Sequence, residues 1–152
     1  MAERKNFLML AYKLENKTML DINDIINKHK TNFEDQSHNT STVNGFQSNN
    51  IEHLFNKDLK KRIINYNNLH KDIFHMHYIE YFEKGFQKEH NHQETEEWSF
   101  ILYLNDAIGD TVFENFIFSP EKGLLVLFDS KLKHKGKKSF NKKILVGAIK
   151  KK

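Results

Sequence analysis

The residues best equipped for chemistry in this chain are histidines. Glu89-His90-Asn91-His92-Gln93-Glu94 carries His90 and His92 at i and i+2, a spacing that sets both on one face of a β-strand. Such a pair can hold one metal ion if a third ligand comes from elsewhere in the fold. His134, within Lys131-Leu132-Lys133-His134-Lys135-Gly136, is the candidate for it. Neutral imidazole suits Fe, Zn, Cu and Ni, and carboxylates favour harder ions. The chain has no cysteine. Thiolate ligation and a disulfide framework are therefore excluded, and any metal must use His, Asp or Glu. A His-x-His pair alone is a weak signal. His75 and His77 form another, read as strand-surface residues because no turn frames them. His29, His38, His53 and His70 fall on a predicted helix or loop without a partner.

The elements that must position these residues follow from periodicity. Phe7 to Tyr12 is a short apolar run, read as a strand. Met19, Ile22, Ile25 and Ile26 recur at helical spacing up to about Lys30, with Thr18 as the expected cap. Residues 31–50 are rich in Asn, Ser, Thr and Gln and read as a loop, placed to fold over a substrate. Ile51, Leu54, Phe55, Leu59, Ile63 and Ile64 predict a helix to about Asn68. Beyond it the period changes to two. Strands are expected from Phe74 to Phe82, Trp98 to Asn105, Thr111 to Phe118, Leu124 to Phe128 and Ile144 to Ile149. Turns are expected at Lys84-Gly85, Asp106–Asp110 and Ser119–Gly123. Helices followed by short strands predict a mainly β fold with N-terminal helices (α+β), its strands in an antiparallel sandwich or jelly roll.

At 152 residues the chain is expected to form a single domain, with residues 1–72 as helical support and loop and 73–152 as the jelly-roll core. No apolar run is long enough to span a membrane, and the first residues do not read as a secretory signal. The expected compartment is the cytoplasm. The net charge of +4 is modest but unevenly placed, with Lys131, Lys133, Lys135, Lys137 and Lys138 crowding the C-terminal part. This reads first as a solvated face. Nucleic acid is an open but unsupported partner.

Several further motifs stand in order around the histidines. Phe82-Glu83-Lys84-Gly85 precedes the pair. Ser99 to Asn105 ends in Tyr-Leu-Asn. Gly109-Asp110-Thr111-Val112-Phe113 follows, then Pro120-Glu121-Lys122-Gly123 ahead of Leu125-Val126-Leu127-Phe128, then His134-Lys135-Gly136. From about Tyr78 to Ile149 this ordered set resembles the iron(II)- and 2-oxoglutarate-dependent dioxygenases, specifically their prolyl-4-hydroxylase-like branch. Gly45-Phe46-Gln47-Ser48 further resembles small phage-encoded members.

The resemblance implies a double-stranded β-helix (jelly roll) in which His90, His92 and His134 hold Fe(II). 2-Oxoglutarate would be the cosubstrate, its C5 carboxylate held by Lys143 with the Tyr103 hydroxyl as a second donor. O2 and an unidentified primary substrate complete the reaction: hydroxylation or demethylation coupled to decarboxylation of 2-oxoglutarate to succinate. Two departures stand out. His92 occupies the place of the family's usual acid, and a register shifted by two would use His92, Glu94 and His134 instead. The cosubstrate cation is lysine, a point charge without arginine's bidentate fork, and Lys142, on the opposite strand face, takes the role if the register slips. A cupin-like metal-binding jelly roll and a non-catalytic binding module are the competing readings.

Overall fold

The computed structural model describes residues 9–65, 72–91 and 97–151. Its strands are β1 (Met9–Lys13), β2 (Thr42–Gln47), β3 (Ile73–His90), β4 (Glu97–Tyr103), β5 (Thr111–Phe113), β6 (Ile117–Phe118), β7 (Leu124–Asp129), β8 (His134–Gly136) and β9 (Lys143–Lys150). The helices are α1 (Asn16–His29) and α2 (Lys57–Ile63). All strand pairing is antiparallel, and the strands follow the order β1-β7-β4-β9-β3-β8-β5-β6, with β2 added on β3. The sheet curls because β3 serves two ladders. Its first half pairs with β9 from Ile73 to Glu80, and its second half pairs with β8 from Gln87 to His90. This is the jelly roll that the run of short, turn-separated strands predicts.

Alternation along the strands makes two apolar layers. Met76, Tyr78, Phe100, Leu102, Leu125, Leu127, Leu145 and Ile149 face outward and are covered by Ile22 and Ile26 of α1 and Leu59 and Ile63 of α2. Ile79, Tyr81, Ile101, Tyr103, Phe113, Val126, Phe128 and Ile144 face into the curl. The outer layer anchors the helices and the inner one surrounds the site. No described helix is long and apolar enough to cross a membrane.

Four local expectations change. The segment read as a helix from Ile51 is broken: Glu52–Leu54 is a single 3-10 turn, and α2 starts only after Asn56, whose side chain accepts from the Leu59 amide at 2.8 Å. Asn56 acts as a cap, so Ile51 and Phe55 reach the core from a turn. The end expected near Asn68 lies outside the described residues, as do Phe7 and Leu8. The polar stretch 31–50 is not merely a loop, since Thr42–Gln47 pairs with β3. Lys84-Gly85 is not a turn between strands; β3 runs through it, bending at Lys84 in the left-handed region (φ 65°). In α1, Thr18 is buried within the helix, where its hydroxyl accepts from Arg62, and Glu15 takes the cap position.

Candidate metal centre

His90 ends β3 and His134 begins β8, and the two are direct cross-strand partners. Their rings approach to 4.2 Å between centroids. The Nδ1 of His90 donates to the Lys88 carbonyl at 2.9 Å, with the Ser41 hydroxyl 3.3 Å away. The Nδ1 of His134 donates to the Leu132 carbonyl at 3.1 Å. A carbonyl only accepts, so both rings carry a proton on Nδ1, which leaves Nε2 as the nitrogen that a neutral ring would offer to a metal. Backbone bonds of this kind fix tautomer and ring orientation in metal-binding histidines. His134 is buried, wedged against Phe128 (4.8 Å) and Phe113 (5.5 Å). Two expected partners, His92 and Glu94, lie outside the described residues. Among the described residues, no third Cys, His, Asp or Glu completes a metal-binding group.

Both imidazoles open on a cavity of about 380 Å³ between the two halves of the curl. Its wall includes Ile79, Ile101 and Val146 and, unexpectedly, His75, His77 and Glu97. The sequence reading of His75 and His77 as strand-surface residues is corrected here: they share the inward face of β3 with Ile79 and Tyr81. His77 is oriented through Nδ1, which donates to the Ser48 carbonyl at 3.0 Å. Alternation on β3 was the available signal. The polar segment before β2 contributes Asn39, Thr40 and Ser41 to the rim, so it does border the space that it was expected to cover.

Along β3 the inward residues run His75, His77, Ile79, Tyr81, which defines a depth axis of about 6.6 Å per pair. Beside Tyr81 lies Lys142, only 2 % exposed. Its Nζ donates to the Gly109 carbonyl at 2.7 Å and lies over the rings of Tyr81 (5.1 Å) and Tyr103 (6.0 Å). Burial pushes its pKa down to about 8, against the opposing charge of Asp110. Gly109, at φ 124°, adopts a backbone conformation that side chains disfavour, and it thereby presents its carbonyl to this ammonium.

Lys143, taken from the sequence as the cosubstrate cation, faces the wrong way. It stands opposite Glu80 in the β3–β9 ladder, on the helix-covered side. Burial pushes Glu80 up, but hydrogen bonds from Lys30 and Tyr78 and the charges of Lys30 and Lys143 outweigh it and hold its carboxyl below the usual range. Lys142 shares the inward face of Ile144 by strand alternation, and Asn141, just before it at the entry to β9, takes a left-handed conformation (φ 58°). Asn105 clips that entry, donating to the Asn141 carbonyl at 2.6 Å and accepting from the Lys143 amide at 3.1 Å.

Tyr103 is inward and buried, as its strand face predicts. Burial pushes its phenol up to about 12, partly offset by the bond it donates to the Thr111 hydroxyl at 2.6 Å. Tyr81, missed in the sequence, is buried beside Lys142, and burial raises its phenol, partly offset by the Thr42 side chain. A Cβ on Gly136 would stand 3.4 Å from the Lys142 Nζ, so the missing side chain leaves room beside the ammonium. A buried cation with an adjacent gap suits a small anion, because a buried charge otherwise needs a partner. The paired imidazoles suit a metal.

No protein-family model matches this chain, and no curated protein matches it either. Solved structures do share its fold. A prolyl-4-hydroxylase from Pseudomonas putida superposes with a TM-score of 0.69 at 14% identity, covering 99% of this chain and 96% of the other. The viral collagen prolyl hydroxylase of Paramecium Bursaria Chlorella virus-1, in a 2OG complex, gives 0.65 at 16%, covering 95% and 96%. A 2OG-Fe(II) oxygenase family oxidoreductase from Burkholderia pseudomallei gives 0.70 at 10%, covering 99% and 88%.

Proposed function

We propose that this protein is an Fe(II)- and 2-oxoglutarate-dependent dioxygenase that hydroxylates or demethylates a substrate, with 2-oxoglutarate converted to succinate. The observation that carries the reading is the pairing of His90 and His134, distant in sequence, ring to ring on the wall of one cavity, in a fold that also buries a lysine, Lys142, against Tyr81 and Tyr103. His90 and His134 would hold the iron through Nε2. His92 would complete the set; in the register shifted by two, His92, Glu94 and His134 would hold the iron and His90 would not. Iron(II) with 2-oxoglutarate supplies the oxidising chemistry when bound. The chain's own residues do the rest.

Lys142 takes the C5 carboxylate, in place of Lys143. Its ammonium, held at a cost by burial, gains a charged partner, and the Tyr81 hydroxyl gains an acceptor. Tyr103 and Thr111 form a hydrogen-bonded pair at the same end of the pocket and orient the dicarboxylate. Ile79, Ile101 and Val146 exclude water between the metal and the ammonium. His75, His77 and Glu97 line the outer part of the cavity and meet the primary substrate. The test is anaerobic titration with Fe(II) and then 2-oxoglutarate. A weak visible charge-transfer band is expected; its absence with iron bound would sink the oxygenase reading and favour a metal-binding jelly roll without this cosubstrate.

A further inference from the structure

The strand that carries His134 has a second face. Lys133, Lys135 and Lys137 are exposed and alternate with buried His134 and Gly136. None of the three lysines forms an ion pair among the described residues. We propose that this outer face of β8, together with the adjoining Phe116, binds single-stranded nucleic acid.

The geometry suits that ligand in three ways. Alternate residues of an extended strand repeat every ~6.6 Å, close to the phosphate repeat of an extended single strand. Lys133 and Lys135 also line a groove of about 660 Å³ that contains Phe116. Phe116 is 53% exposed and stacks nearly parallel on Phe118, at 6.4 Å and 17°. An exposed aromatic beside a cationic track is how single strands are held without base-specific readout, with bases stacking and phosphates paired. A duplex would hide the base faces that Phe116 needs. Charge also favours a polyanion: the groove and the cleft beside it are lined by six lysines against Glu89 and Glu114. An acidic peptide would use the lysines but has no purpose for the stacked phenylalanines. Because β8 presents His134 on its inner side, a strand lying along it would bring its bases near the cavity mouth. Only that last point rests on the oxygenase reading; the binding itself does not.

The test is fluorescence anisotropy of labelled oligothymidylate with the full chain, kept metal-free by chelator, across a salt series. Binding is expected with a logarithmic salt slope of about −2 or steeper, at roughly 0.7 per phosphate contact. Replacing Lys133, Lys135 and Lys137 together by Gln should flatten that slope by about 2 and weaken binding about tenfold or more. Phe116→Ala should weaken binding several-fold and leave the slope unchanged. Should the triple variant not fold, Lys135→Gln alone should flatten the slope by about 0.7. No binding at low salt, an unchanged slope in the lysine variants, or displacement by polyglutamate as effective as by unlabelled oligothymidylate would overturn the proposal; the last result would identify an acidic-peptide surface. The iron and 2-oxoglutarate titration is run on the same preparations. A charge-transfer band without nucleic-acid binding defeats this inference alone, and nucleic-acid binding without the band defeats only the oxygenase reading.

Discussion

His134 and Lys142 sit only a short loop apart in sequence, and each is buried with a different task, the first beside His90 and the second beside Tyr81. Each makes a separable prediction. His134→Ala should abolish iron retention, measured by metal analysis after gel filtration, because a two-ligand remnant binds weakly. His90→Ala and Glu94→Ala then decide the register, since loss of iron should follow from one and not the other. Lys142→Met should weaken 2-oxoglutarate affinity far more than iron affinity, while Lys143→Met should leave both nearly unchanged; the reverse pattern would restore Lys143. The pH dependence has a definite sign. Lys142 titrates near 8 in the fold against 10.5 ordinarily, so without a ligand its charged form costs stability. That cost, about 3 kcal/mol at 1.36 kcal/mol per unit, is fully present below pH 8 and disappears as pH rises towards 10.5. Denaturant unfolding should therefore show Lys142→Met more stable than the parent at pH 7, with the gap narrowing above pH 8 and closing near pH 10.5. 2-Oxoglutarate, which needs the ammonium, should bind best below pH 8 and progressively less well above it.

At the level of elements, the entry to β9 is the critical joint. Asn105, just past β4, holds it through the Asn141 carbonyl and the Lys143 amide on either side of Lys142, and Asn141 turns the chain there. Asn105→Ala should loosen this entry and raise the 2-oxoglutarate dissociation constant while iron retention persists, as titration would show. Gly136→Ala places a methyl beside the Lys142 ammonium and should act in the same direction. The cap of α2 is a purely structural matter: Asn56→Ala should cost about 1 kcal/mol in chemical unfolding and leave ligand binding alone.

Across the whole molecule, one curled sheet separates support from chemistry. Its outer layer packs on α1 and α2, and its inner layer encloses the cavity. Leu102, fully buried between the sheet and the helices, should test the first role. Leu102→Ala is expected to cost about 2–5 kcal/mol with a matching fall in melting temperature. Iron affinity of the fraction that remains folded should be unchanged.

Much of this was legible without coordinates. Period-two alternation announced β4, β7 and β9, and it set Tyr103 on the inward face, because side-chain direction in a regular strand follows from parity alone. His90 and His134 could be nominated by residue type and motif order. Their meeting could not be derived from type or spacing, because it depends on β3 bending through Lys84 and pairing with β8 at its far end. Parity sets Lys142 on the face of Ile144 and Lys143 on the face of Leu145, but motif position, from which Lys143 was chosen, carries no information about which face turns inward. His75 and His77 were passed over for a related reason. An alternating strand shows which residues share a face, but only the curl of the sheet decides whether that face meets solvent or the wall of a cavity.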